Sequence, residues 1–168
     1  MANEYGVLSW GKPGIYVGKL GGEGATTYKK WPTPVLDSTQ LATTKGDKTE
    51  AKIEGGENEA VRYSKNTYAL TLNIRAAAGR KKPVADSDGI VPGEYSLVLV
   101  PEDPTAPGMK IDRAVVSVED TWNSADGGVW IYTFDALKPT EGDQVKWGIA
   151  TVTGTDEAPT VSFVEDEE

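Results

Sequence analysis

The chain of 168 residues carries 17 basic and 26 acidic side chains, a formal net charge of -9, with no Cys and no His. That composition excludes a disulfide scaffold, thiolate or imidazole metal ligands, a cysteine nucleophile and a Ser-His-Asp triad. No apolar run approaches the roughly 18 residues needed to cross a membrane, Met1–Tyr5 does not begin a leader pattern, and the acidic balance argues against a nucleic-acid clamp.

The recurring signal is alternation with a period of two, the mark of half-buried strands. Tyr5, Val7 and Leu8 lead to Trp10, and Gly11-Lys12-Pro13-Gly14 makes a turn. Ile15, Val17 and Lys19 then alternate with Tyr16, Gly18 and Leu20. Gly21-Gly22-Glu23-Gly24 is punctuation; it lacks the Gly-Lys-Ser/Thr of a phosphate loop. Trp31-Pro32-Thr33-Pro34 predicts an extended loop or sheet edge, because two prolines so close suit neither a helix interior nor a central strand.

The polar segment 37–65 follows. Thr49, Ala51 and Ile53 fall on one side of a strand, and Lys48, Glu50, Lys52 and Glu54 on the other, until Gly55-Gly56 breaks it. Tyr68, Leu70, Leu72 and Ile74 alternate with Thr67, Ala69, Thr71 and Asn73, the clearest strand of the chain. Residues 44–75 thus read as a long polar hairpin. Ala76 to Pro83 is a loop holding Arg80-Lys81-Lys82, a solvated cluster or a salt contact to an acidic neighbour such as another copy. Asp86-Ser87-Asp88-Gly89 is a turn, since a calcium loop needs a third ligand before the Gly.

Tyr95, Leu97 and Leu99 alternate with Ser96, Val98 and Val100, a strand with both faces apolar enough to be buried. Pro101, Pro104 and Pro107-Gly108 mark a loop. Strands are predicted over Ile111–Val118 and Val129–Phe134 with a turn between. Val145, Trp147, Ile149, Thr151 and Thr153 share one face of another, and Val161 and Phe163 precede the acidic end. Eight to ten strands without a helical stretch predict a single all-β domain over 1–168, an antiparallel β-sandwich or partly closed barrel with a long polar hairpin or loop. Residues 164–168 are expected to fray.

Trp130 and Trp147 lie in apolar alternation and are expected in the core. Trp31 and Trp122 sit beside loops, where they would serve a carbohydrate-binding or adhesin-type module as sugar platforms, or a subunit contact. None of the 26 carboxylates is singled out as half of a catalytic pair. No enzyme, metal or cofactor is expected. The charge is uneven: residues 101–168 hold 4 basic and 15 acidic side chains, a surface that repels polyanions.

The stretch Leu41-Ala42-Thr43-Thr44-Lys45-Gly46-Asp47-Lys48-Thr49-Glu50-Ala51-Lys52-Ile53-Glu54-Gly55-Gly56, followed by Asn66-Thr67-Tyr68-Ala69-Leu70-Thr71-Leu72-Asn73-Ile74, resembles the tail tube proteins of tailed bacteriophages. The close likeness covers about a fifth of the chain. It implies a virion subunit, assembled in the host cytoplasm, of two packed sheets. Six copies would form a ring, and rings would stack with other tail proteins into a conduit through which DNA passes without specific binding. Lys45, Asp47, Lys48, Glu50, Lys52, Glu54 and Glu57 would then lie on an intersubunit element. A capsid decoration or tail terminator subunit is a related alternative. The helix usual in that family has no counterpart in this sequence.

Overall fold

The computed structural model describes residues 8–21 and 27–166. Tyr5, Val7, the glycines at 22 and 24, and residues 167 and 168 lie outside that range. Eleven strands follow in order: β1 (Gly14–Lys19), β2 (Tyr28–Lys30), β3 (Gln40–Thr44), β4 (Lys48–Lys52), β5 (Asn58–Tyr63), β6 (Thr67–Arg75), β7 (Tyr95–Val100), β8 (Gly108–Asn123), β9 (Gly127–Ala136), β10 (Val145–Gly154) and β11 (Pro159–Glu165). Every pairing is antiparallel. The described residues contain no helix, and the fold is the expected all-β sandwich.

Nine strands form one sheet and β4–β5 form a second. Strand β8, longer than the predicted Ile111–Val118, organises the large sheet. One edge of β8 pairs with β7, and the other pairs first with β10 (Gly108–Ile111) and then with β9 (Ala114–Asn123). The strand therefore belongs to two layers, β2-β1-β7-β8-β10-β11 and β8-β9-β6-β3. Between the two pairing segments lies Arg113. Its guanidinium donates two hydrogen bonds to Glu94, at 2.7 and 2.9 Å, and one to the Lys138 carbonyl at 2.8 Å, tying three segments together at the corner.

The layers close on a core of Ile15, Val17, Leu70, Leu72, Ile74, Leu97, Ile111, Val116, Tyr132 and Phe134, all buried. The strict alternation of β6 puts Leu70, Leu72 and Ile74 inside and leaves its polar residues outside. A smaller cluster of Tyr16, Val98 and Ala150 lies on the opposite face of β1 and β7. Strands β10 and β11 curl over it until β11 meets β2, so β7 is buried on both faces as predicted. That curl gives the molecule its partly closed, barrel-like side.

Trp31 corrects one expectation. Its Pro-flanked segment is irregular, but the ring plugs the mouth of the sandwich, 4% exposed and edge-on to Tyr132 at 4.7 Å. The prolines prevent regular strand pairing beyond it; they do not prevent burial. The C-terminal end corrects another: Val164 and Glu165 belong to β11, and the Asp166 amide donates to the Trp147 carbonyl at 2.9 Å. Backbone pairing along β10 holds that stretch despite its charge.

Candidate functional site

The polar hairpin predicted over 44–75 exists in two stages. Its base is β3 paired with β6, from Gln40↔Thr71 to Thr44↔Thr67. Its end is β4 paired with β5, from Lys48↔Tyr63 to Lys52↔Asn58. Between them the Gly46 amide donates to Asn66 Oδ1 at 3.0 Å and the Ser64 amide to the Asp47 carbonyl at 2.8 Å, which makes the two stages one continuous arm. A Cβ at Gly46 would overlap the Ser64 carbonyl, so this crossing needs glycine. At the tip Gly55 and Gly56 both take positive φ, 95° and 89°, and allow the tight reversal.

All seven predicted intersubunit residues fall on this arm. Lys45 places its ammonium over the Tyr63 ring at 5.5 Å. The Glu50 carboxylate bridges Lys48 at 2.7 Å and Lys52 at 3.7 Å. The Asp47 and Glu57 carbonyls close the ladder at either end, and Glu54 lies in the tip. Every residue of β4 and β5 is exposed. Val61 and Tyr63, directly across from Glu50 and Lys48, give one face an apolar stripe that is 42% and 56% exposed; Ile53 at the tip is 48% exposed. The polarity of β4 hid that stripe, which belongs to β5, from a reading centred on 45–56.

A second apolar feature was not foreseen. The segments before β1 and before β3, with β10, frame an open groove of about 720 Å³. Trp10 (72% exposed), Leu36 (87%) and Trp147 (46%) stand around it, with Met109 and Pro34 among the lining residues. Trp147 corrects the expectation of a core position. It shares a face with buried Met109, its direct cross-strand partner, but lies at the open groove, where its larger ring stays 46% exposed. Trp130 does pack against the main core. Exposed Trp122 stands at the β8–β9 turn, and with Trp31 buried it is the sole remaining sugar platform of the two predicted.

The basic cluster separates. The Arg80 guanidinium donates to the Arg75 carbonyl at 2.7 Å, and Lys81 is exposed. Lys82 is committed within its own chain, to Asp86 at 2.8 Å and Asp120 at 2.7 Å. Its salt contact is therefore intramolecular, a strap from the 76–90 loop to β8. Hydrogen bonds to Asp120 and Asp86 raise the Lys82 pKa, and the Lys82 ammonium with the Gly89 amide holds Asp86 below the usual carboxylate range. The sequence Asp86–Gly89 is a turn, as expected. A scan against protein-family models finds no match for this chain, and a search of curated proteins finds none either.

Proposed function

We propose that the chain is a structural, self-assembling subunit, and that it serves as a phage tail tube protein whose copies form hexameric rings stacked into a DNA conduit. The observation that carries the assembly reading is the arm. A two-stranded hairpin alone in water is marginal, and this one is exposed along both strands, touches no core and presents apolar side chains to solvent. Such an element is stabilised by the surface of another subunit. Among the described residues the outer edge of β3, which pairs only with β6, argues in the same direction, because closed assembly covers edges that otherwise invite uncontrolled pairing.

The resemblance of residues 41–56 and 66–74 supplies the more specific part of the proposal, and the acidic stretch 101–168 gives it a physical use: an acidic wall does not hold phosphate. The test is negative-stain microscopy beside light scattering across a concentration series. Rings or hollow tubes are expected. Monomer at every concentration would refute assembly by this chain alone.

A further inference from the structure

One wall of the groove framed by Trp10, Leu36 and Trp147 is the stretch Ser9 to Pro13, which follows residues 1–7 almost directly. We propose that the groove is the seat of Tyr5-Gly6-Val7 of the same chain, with Tyr5 and Val7 covering its apolar lining. The contact is intramolecular and does not depend on the assembly proposed above.

Three observations carry it. The first is the tether. Ser9 donates through Oγ to the Pro107 carbonyl, and the Trp10 carbonyl accepts from the Glu102 amide at 3.3 Å, which fixes the chain at the edge of the groove. Val7 and Tyr5 lie two and four residues upstream of Ser9. An extended chain advances at most about 3.6 Å per residue, so Tyr5 stays within about 14 Å of that anchor. A tether this short gives an effective concentration of about millimolar, so a free partner of equal affinity at micromolar concentration competes at a disadvantage of about a thousandfold. The second is chemistry. In an extended segment Tyr5 and Val7 fall on one side with Gly6 between them. The groove meets that pair with Trp10, Leu36, Met109 and Trp147, and its Asp37 and Thr39 offer oxygens to the Tyr5 hydroxyl, a group that takes a hydrogen-bond partner once its ring is covered. The third is the far wall. The Val35 carbonyl accepts from the Ser38 amide at 3.1 Å and from Ser38 Oγ at 2.7 Å, and the Val35 amide donates to the Asn73 carbonyl at 2.8 Å, which pins this turn to β6. Within it Asp37 takes a left-handed φ of 59°, uncommon for a residue with a side chain. The turn holds Leu36 out, 87% exposed, where it joins Trp10 and Trp147 in one apolar rim rather than standing as a scattered exposed residue.

The absence of native Cys makes the test clean. Glu4→Cys combined with Leu36→Cys, equilibrated in a glutathione buffer, should close an intrachain disulfide. Its effective concentration should be at least tenfold above that of Glu4→Cys with Thr105→Cys, an exposed position two residues from the Pro107 anchor. Adding Tyr5→Ser/Val7→Ser should remove that preference. In the otherwise native chain the same double substitution should raise the binding of anilinonaphthalene sulfonate, an apolar dye, severalfold, with the circular dichroism unchanged. These results together support the seat. Equal closure to positions 36 and 105, a preference that survives Tyr5→Ser/Val7→Ser, or unchanged dye binding overturns it. Covalent dimers in place of the intrachain bond also overturn it and assign the segment to the groove of a second copy. Each readout is taken on the monomer, so failure here leaves the assembly reading standing.

Discussion

Removing the arm should separate folding from assembly. Thr44 and Thr67 are direct cross-strand partners, so deleting residues 45–66 and inserting Asn-Gly reconnects them by a two-residue turn of the type hairpins favour. None of the deleted residues is buried. The loss of monomer stability should therefore stay below about 1 kcal/mol, the range of surface changes away from a core. Assembly should respond differently. Ile53, Val61 and Tyr63 each have about half their surface still to bury. Full burial of a large apolar side chain is worth about 1.5–3 kcal/mol, so the three contribute roughly 3 kcal/mol per arm, about two decades in association constant. Urea unfolding of the monomer and light scattering across concentration measure the two quantities. Assembly of the shortened chain at the wild-type concentration would refute the reasoning, as would a monomer that no longer folds.

Other expectations concern the body. Trp31→Ala empties the mouth of the sandwich beside Tyr132 and Phe134 and should lower stability by about 3–5 kcal/mol; a loss under about 1 kcal/mol in urea unfolding would contradict its role. Asp86→Asn should lose about 2 kcal/mol at pH 7, because Asp86 accepts from both Lys82 and the Gly89 amide. Its pKa is depressed in the fold, so its contribution is complete above about pH 4 and fades as pH falls through the depressed value; variant and wild type should converge in urea titrations at strongly acid pH. Burial pushes the Tyr132 hydroxyl up to about 12. Stability present below about pH 10 should drop between pH 10 and 12, where the unfolded chain ionises first, and Tyr132→Phe should flatten that drop.

Legibility in the sequence followed local periodicity. Strands β6, β7 and β9 could be read because one or both faces meet the core and their side chains declare it. Three-residue β2 could not, since Tyr28–Lys30 is too short to show a period. The two roles of β8 depend on β9 and β10 taking successive parts of one edge, a long-range arrangement with no local mark. Of the candidate site, the charged residues of β4 were visible as a polar run bounded by Gly-Gly. Its apolar partner face on β5 and the groove were not. Trp10, Leu36 and Trp147 come from three separated segments, and whether an aromatic residue is covered depends on where neighbouring strands stop.

The most direct test of self-assembly through the arm images wild-type and arm-shortened protein side by side by negative-stain microscopy, with light scattering on the same samples. The account predicts rings or tubes for the full chain and compact monomers for the shortened one. Monomers for both, or identical assemblies from both, would contradict it.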